Sequence, residues 1–258
     1  MLSKNIRFKN FTKKKFNKNL KVLFKKLIDK NSYDDNVIKS FSKSYSYSFT
    51  KKQLKKFKKF NFFQIYGMGG SSLGIQAIYD FMKPKIKKKF YFFDNLDSKN
   101  KIIKTKSKSL NLIISKSGNT LETIVNENIF SGINKLYITE NNNNYLRNTA
   151  LRLKKEIIEH KNFIGGRYSV LSEVGMLPAE LMGLNSNKFK RFDKLVSNRD
   201  FINSLLANVN MLYRLVKMGK TNSIILNYDE SSYNLFRWYQ QLVAESLGKN
   251  SKGVLPII

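Results

Sequence analysis

The stretch that decides the fold is "FFQIYGMGGSSLG", residues 62–74, in which an apolar run leads into a turn with four glycines and two serines. A short, continuous apolar run is typical of a strand buried on both faces of a parallel sheet. Glycine lets the backbone after such a strand approach another group closely. Residues 72–82 have the pattern of a helix, so the stretch predicts a strand, a tight turn and a helix.

Similar apolar runs recur along the chain and alternate with helix-length segments. We predict strands at 62–66, 90–93, 110–114, 135–139 and 223–227, and helices at 72–82, 97–106, 119–131, 142–158, 172–184, 201–218 and 231–247. This alternation is typical of a parallel sheet with helices on both faces. The expected fold class is therefore α/β, with a three-layer αβα arrangement.

Changes of pattern divide the chain into four parts. A basic, helix-patterned segment covers residues 1–58, and the first α/β domain covers 59–190. A connecting helix is expected within 191–220. A new strand and helix then mark the start of a second, similar α/β domain at 221–258.

Composition excludes several classes of protein. The 258 residues include 41% hydrophobic residues, no cysteine and one histidine, His160. A core can form, whereas a disulfide scaffold or a His-rich zinc cluster cannot. No apolar run approaches the ~20 residues that span a bilayer, and the N-terminus lacks the apolar region of a signal peptide. We expect a cytoplasmic protein that has no membrane contact and binds no metal.

The net charge of +30 raises the alternative of a nucleic-acid-binding protein. Lysine is scattered over nearly every segment, however, and is not gathered into one stripe. This distribution indicates solvated lysines on an ordinary surface, so nucleic acid is not an expected partner. An anionic small substrate is compatible with the charge.

Three loops follow predicted strands or helices and should meet at one edge of the sheet, because ligands of open α/β sheets bind at the carboxyl ends of the strands. We name them the glycine loop (67–74, "GMGGSSLG"), the cradle loop (115–120, "SKSGNT") and the arginine loop (165–169, "GGRYS").

The glycine loop could present backbone N–H groups to an anion, with Ser71 or Ser72 capping the next helix. It lacks the Lys-Ser/Thr pair of a Walker loop. Gly67 and Gly69, with Asp94 downstream, match only part of a dinucleotide-binding fingerprint. A tight turn that binds no ligand is the structural alternative.

The cradle loop carries the hydroxyls of Ser115, Ser117 and Thr120 around the cation of Lys116. Hydroxyls, free helix N–H groups and one lysine suit a phosphate monoester. The alternative is plain helix capping by Ser117 or Asn119, with Glu122 closing a capping box.

The arginine loop places Arg167 directly after two glycines, which allow its guanidinium to lie near the cleft. A surface ion pair is the alternative for this residue. We interpret His160 as structural.

The segment "QQLVAESLGK", residues 240–249, predicts a helix end in which Gln241 and Glu245 share one face. Glu245 lies in the last turn, where the macrodipole disfavours a carboxylate, and this suits a general base. The alternative is a surface pair between Glu245 and Lys249.

Taken in order, "GMGGSSLG", "SKSGNTLET", "GGRYSVLSEVGMLPAEL" and "QQLVAESLGK" resemble the signature segments of the phosphoglucose isomerase family. "FDNLD", residues 93–97, is similar to the family's loop after the second strand. The resemblance covers roughly residues 60 to 258. It implies two sugar-isomerase-type α/β domains, a homodimer, and interconversion of glucose 6-phosphate and fructose 6-phosphate without a cofactor.

The resemblance also implies a role for each matching position. Arg167 would stabilise an enediolate and Glu245 would transfer the proton. Gln241 would orient the sugar. The residues implied for the sugar are Gly70 and Ser71, and those for its phosphate are Ser115, Lys116, Ser117 and Thr120.

One departure from the family concerns the chain end. The family's ring-opening histidine and a further lysine lie downstream of the Glu245 motif, and His160 does not occupy that position. The strand from Ser223 is expected to lack a partner, and the helix at 231–247 to need a further layer. We therefore expect the chain to be incomplete and at most weakly active. A non-catalytic sugar-phosphate-binding module is the alternative function, although it leaves Arg167 and Glu245 without a purpose.

Overall fold

Five parallel strands form the central sheet of the computed structural model, which describes residues 18–29, 37–97, 109–250 and 252–258. The sheet order is β2-β1-β3-β4-β5. The strands are β1 (Phe62–Tyr66), β2 (Lys89–Phe93), β3 (Ser109–Ile114), β4 (Lys135–Thr139) and β5 (Glu156–Glu159). All six residues of the central strand β3 are buried, including the polar Ser109 and Asn111 among its four apolar residues.

Helices cover both faces of this sheet. They are α1 (Lys18–Ile28), α2 (Lys51–Phe57), α3 (Leu73–Met82), α4 (Leu121–Phe130), α5 (Tyr145–Arg152), α6 (Glu173–Leu181), α7 (Phe192–Val196), α8 (Arg199–Lys217) and α9 (Tyr233–Leu247). One core cluster joins the sheet to residues of α2, α3 and α6. A second joins the other face to α4 and α5. The predicted three-layer α/β fold is confirmed.

Most predicted elements agree with the structure to within a few residues. The helix predicted at 97–106 lies almost entirely outside the described residues. The connecting segment holds two helices, α7 and α8, where one was expected. In the part of the chain that the structure describes, none of the helices has the length and apolar character to cross a membrane.

The helix predicted at 142–158 is wrong in its second half. Helix α5 ends at Arg152, and Lys154 adopts a φ of 51°, which turns the chain into β5. Strand β5 pairs in parallel with β4, and Ile158 is buried in the core. The paired isoleucines of this strand favour extended backbone, and this preference outweighs the helical spacing of the charges around them.

The prediction that the strand from Ser223 lacks a partner is also wrong. Strand β6 (Asn222–Ile224) pairs in parallel with β7 (Leu255–Ile257) in a separate two-stranded sheet. The backbone N–H of Ile225 donates to the carbonyl of Ile257 at 2.8 Å. Helix α9 packs on α3, and Trp238 contacts the first core cluster.

A buried polar network ties residues 37–48 to the body of the domain. The Glu173 carboxylate is fully buried and accepts from the Tyr45 hydroxyl at 2.8 and 2.9 Å and from the Ser48 N–H at 3.0 Å. The Lys190 ammonium donates to the carbonyls of Ser40 and Leu171 and lies 4.7 Å from the centre of the Tyr45 ring.

Lys190 should make stability depend on pH. Burial lowers the pKa of Lys190 to about 8, whereas an unfolded lysine titrates near about 10.4. Between these values the unfolded chain binds more protons than the folded one, so the free energy of unfolding rises with pH. Urea unfolding measures this free energy in the wild type and in Lys190→Met. The difference between the two proteins should change by about 2 kcal/mol in favour of the wild type from about pH 8 to about pH 10. A constant difference between the two proteins would contradict the lowered pKa.

Candidate active site

The three loops named above meet at the carboxyl ends of β1 and β3, where they line a cleft of about 760 Å³. The expected convergence of the loops is therefore confirmed. Every site residue predicted from the sequence lines this cleft: Gly70, Ser71, Ser115, Lys116, Ser117, Thr120, Arg167, Gln241 and Glu245. The cleft is also lined by residues that were not predicted as site residues, and these are Met68, Gly69, Leu73, Asp94, Glu140, Gly166 and Arg237.

The glycine loop approaches another loop of the same protein. A Cβ atom added to Gly70 would lie 2.3 Å from the carbonyl carbon of Gly166 and 2.6 Å from the nitrogen of Arg167. The Ser169 hydroxyl donates to the Gly70 carbonyl at 3.2 Å. Gly70 thus lets the backbone that carries Arg167 pack directly against the end of β1.

The glycine loop uses two of its backbone N–H groups within its own turn. The N–H groups of Ser71 and Ser72 donate to the carbonyls of Met68 and Gly69 at 3.1 and 3.0 Å, so these two amides serve the turn itself. Ser72 is the N-cap of α3, but its side chain makes no capping hydrogen bond. Asp94, the residue of the partial dinucleotide fingerprint, accepts from the Gln76 side chain at 2.8 Å.

The cradle loop gathers its hydroxyls as the sequence predicts. The hydroxyls of Ser115 and Thr120 lie 2.8 Å apart, and those of Ser115 and Ser117 lie 3.5 Å apart. Thr120 is the N-cap residue of α4 and its side chain makes no capping hydrogen bond, so the alternative with Ser117 or Asn119 as N-cap is wrong. Within the described ranges, the backbone N–H groups of Lys116, Ser117 and Thr120 donate to no protein acceptor. Hydroxyls and free amides at the start of a helix form an anion site.

The Lys116 ammonium is already engaged by the protein. It lies 3.4 Å from Oε1 of Glu140 and donates to the Asn162 carbonyl at 2.8 Å. The predicted cation of the cradle loop is therefore paired with a carboxylate that also lines the cleft. Lys116 could then contribute to an anion site through its backbone N–H as well as through its charge.

The cradle loop is joined to the start of α5. The side chain of Asn119 accepts from the Tyr145 N–H at 3.0 Å, and the Gly118 carbonyl accepts from the Leu146 N–H at 3.0 Å. Gly118 has a φ of 66°, and an added Cβ would lie 1.8 Å from Oδ1 of Asn144, the N-cap of α5. These contacts fix the loop and the helix start to each other.

Arg167 and Glu245 face each other across the cleft. Nη1 of Arg167 lies 3.3 Å from Oε2 of Glu245, and Nε2 of Gln241 donates to Oε1 of the same carboxylate at 2.8 Å. Among the described residues, the ion pair of Glu245 is with Arg167 and not with Lys249. The alternative pair of Glu245 with Lys249 is wrong, whereas Arg167 does form an ion pair, and this partly exposed pair lines the cleft.

Arg237 is a cleft residue that the sequence reasoning missed. It precedes Gln241 by four positions and Glu245 by eight, so the three side chains share one face of α9. This spacing was visible in the sequence and could have identified Arg237. Glu140 follows the fourth strand and could have been found by inspecting every strand end.

His160 is buried outside the cleft lining, in agreement with its structural interpretation. Its Nδ1 lies 3.1 Å from the Lys161 carbonyl oxygen. Burial lowers the pKa of His160, which favours the neutral ring.

Relatives of the chain are identified by sequence. The glucose-6-phosphate isomerase of Methanocaldococcus jannaschii is 37% identical over 226 residues, which cover 80% of this chain and 56% of that protein. The enzyme of the same name from Mycoplasma capricolum is 30% identical over 217 residues, covering 74% of this chain and 51% of that protein. The chain thus spans about half the length of the curated relatives it matches.

Solved structures share the fold. A hypothetical protein from Thermus thermophilus superposes with a TM-score of 0.75 at 21% identity, covering 93% of this chain and 63% of that one. The tagatose-6-phosphate ketose/aldose isomerase of Escherichia coli has a TM-score of 0.50 at 15% identity, covering 80% of this chain and 60% of that one. The sequence profile of phosphoglucose isomerase matches residues 13–254, nearly the whole chain. The chain therefore belongs to the phosphoglucose isomerase family.

Proposed function

We propose that this chain carries the substrate cleft of an aldose–ketose isomerase that interconverts glucose 6-phosphate and fructose 6-phosphate in glycolysis and gluconeogenesis. The observation that carries the proposal is the Arg167–Glu245 pair, which faces the same cleft as the hydroxyls of the cradle loop. Both relatives described above bear the name of this enzyme.

The phosphate of the substrate is proposed to bind in the cradle loop. The hydroxyls of Ser115, Ser117 and Thr120 can donate to its oxygens, and so can the unpaired N–H groups of Lys116 and Ser117. The start of α4 adds the positive end of a helix dipole. A dianion is thus bound mainly by oriented dipoles, because Glu140 partly neutralises the lysine.

The proton transfer is proposed to use Glu245 and Arg167. Aldose–ketose interconversion moves a proton between adjacent carbons through an enediolate, so it needs one base and one fixed positive charge. Glu245 takes and returns the proton, and Arg167 stabilises the developing oxyanion. Gln241 orients the sugar, and Gly70 and Ser71 line its binding site.

Substrate must change the Arg167–Glu245 contact. A developing oxyanion competes with the carboxylate for the guanidinium, since Nη1 of Arg167 lies 3.3 Å from Oε2 of Glu245 in the free cleft. As Arg167 turns its donors to the ligand, the carboxylate is left free to accept a proton. Binding therefore couples base activation to oxyanion stabilisation.

The proposal is tested with the purified full-length protein and fructose 6-phosphate. Formation of glucose 6-phosphate is measured directly. Replacement of hydrogen by solvent deuterium at the two carbons between which the proton moves reports proton transfer alone. Absence of both reactions, with sugar phosphate still bound, would favour the non-catalytic sugar-phosphate-binding module instead. The comparisons give no support to that alternative, because the relatives are named isomerases.

Further parts of the proposal follow from family membership. We propose that the enzyme acts as a cytoplasmic homodimer, without metal or redox cofactor and without a nucleic-acid partner. The division into an N-terminal segment at 1–58, a first domain at 59–190, a connecting segment at 191–220 and the start of a second domain at 221–258 stays a prediction.

The cradle loop makes a prediction about affinity. The double variant Ser115→Ala/Thr120→Ala should bind fructose 6-phosphate at least about tenfold more weakly, because each hydrogen bond to a charged group contributes about 1.5–3 kcal/mol. Isothermal titration measures the dissociation constant. Ser197→Ala, an exposed site outside the cleft lining, is the matched control. Equal affinities for the double variant and the control would exclude this loop as the phosphate site.

A further inference from the structure

The Arg167 guanidinium is contacted at three places. Its Nε donates to the Ser246 hydroxyl at 3.0 Å, and its Nη1 lies 3.3 Å from Oε2 of Glu245. Its central carbon lies 4.9 Å from the centre of the Tyr168 ring. The hydroxyls of Tyr168 and Ser246 lie 2.5 Å apart, so these two partners of Arg167 also contact each other.

Of these contacts, one involves the proposed base Glu245, and the other two do not. A permanent ion pair with Glu245 would hold the carboxylate that has to accept a proton. The hydrogen bond to Ser246 uses Nε, whereas the contact with Glu245 uses Nη1, and the Tyr168 ring lies beside the guanidinium. An arginine held in this way stays in place when Glu245 releases it.

We infer that Ser246 and Tyr168 are positioning residues that hold the Arg167 guanidinium with its Nη groups toward the cleft. The inference rests on the proposed function, since it assigns Arg167 the stabilisation of an enediolate.

The chain positions of the four residues support this inference. Tyr168 directly follows Arg167 in the arginine loop, and Ser246 directly follows Glu245 in α9. The hydroxyl contact between Tyr168 and Ser246 therefore joins the segment of the proposed electrophile to the segment of the proposed base. Trp238 adds a hydrogen bond from Nε1 to the Arg167 carbonyl at 3.4 Å, which fixes the backbone of the loop.

The ionisation of Tyr168 is consistent with this geometry. Its hydrogen bond with Ser246 and the adjacent Arg167 guanidinium lower the pKa of Tyr168. The lowered pKa thus reflects the closeness of the Tyr168 hydroxyl to Ser246 and to the Arg167 guanidinium.

Two variants test the inference by kinetics and binding. Ser246→Ala and Tyr168→Phe should lower kcat by about tenfold or more while KM stays within about twofold. A phosphate-bearing hydroxamate that mimics the enediolate should bind about tenfold more weakly, whereas inorganic phosphate should bind unchanged. Ser246→Thr keeps the hydroxyl and should restore the kcat. Unchanged kcat and hydroxamate affinity in both variants, or an equal loss of phosphate binding, would overturn the inference.

Matched controls come from sites outside the cleft lining. Ser197→Ala and Tyr239→Phe make the same chemical changes at exposed positions and should leave the kinetic constants unchanged.

A spectroscopic measurement separates this inference from the proposed function. In ¹⁵N NMR the Nε–H of Arg167, assigned by its loss in Arg167→Lys, should exchange slowly with water. The slow exchange should disappear in Ser246→Ala and persist in Ser246→Thr. If the chain does not isomerise sugar phosphates, this signal still reports whether Ser246 holds the guanidinium. Equal exchange rates in the wild type and Ser246→Ala would overturn the positioning role.

Discussion

Replacing Glu245 with glutamine is expected to lower the isomerisation rate by about 10²–10⁴-fold, because general acid–base catalysis contributes this much. Glutamine keeps the shape of the side chain and can still accept one of the two hydrogen bonds that Arg167 and Gln241 donate in the free cleft. Binding of fructose 6-phosphate should therefore be largely retained. Solvent deuterium uptake, which reports the proton transfer itself, should fall in parallel with turnover.

The matched control is Glu230→Gln, at an exposed position outside the cleft lining. It should show the wild-type rate of deuterium uptake. If Glu245→Gln also exchanges deuterium at the wild-type rate, the proton is carried by a different group and the proposed mechanism is wrong.

Gly70→Ala is expected to reduce kcat/KM by about 10²-fold, although the substitution adds a single methyl group. The new Cβ would lie 2.3 to 2.6 Å from backbone atoms of Gly166 and Arg167, which cannot move aside as a flexible side chain could. The arginine loop must shift, and misplacement of a catalytic group by about 1 Å costs about 10²-fold in rate. Overpacking should also lower the free energy of unfolding by about 1–3 kcal/mol.

Kinetics and urea unfolding of Gly70→Ala are compared with Gly132→Ala. An added Cβ at Gly132 meets only the Asn111 side chain, at 3.4 Å, and this glycine lies outside the cleft lining. Normal kinetics in Gly70→Ala would show that the two loops can separate without consequence for Arg167.

The sheet was predictable because its strands carry strong local signals. The mostly apolar run of β3 and the glycine loop after β1 can be recognised without any knowledge of tertiary contacts. The convergence of the three loops followed from the rule that the carboxyl ends of parallel strands share one edge. The chemical roles of the cleft residues stay predictions.

The errors occurred where tertiary pairing decides the structure. Strand β5 spans four residues, and its two isoleucines favour extended backbone, but the local pattern does not reveal the pairing with β4 that completes the strand. Strand β6 pairs with β7, and paired residues such as Asn222 and Leu255 are 33 positions apart, so neighbouring residues do not reveal the pairing. The engagement of Lys116 by Glu140 likewise depends on how two strand ends meet.

The junction between the cradle loop and α5 affects how mutations in this region are interpreted. Gly118 and Asn119 supply acceptors for the first amides of α5, and Gly118 leaves room for the helix cap. A substitution at either position therefore disturbs the folding of a helix as well as the proposed anion site. A loss of affinity caused by such a change cannot be assigned to the phosphate alone. The Ser115 hydroxyl also accepts from the Gly118 N–H at 3.1 Å, so Thr120→Ala alone is the substitution that separates recognition from architecture.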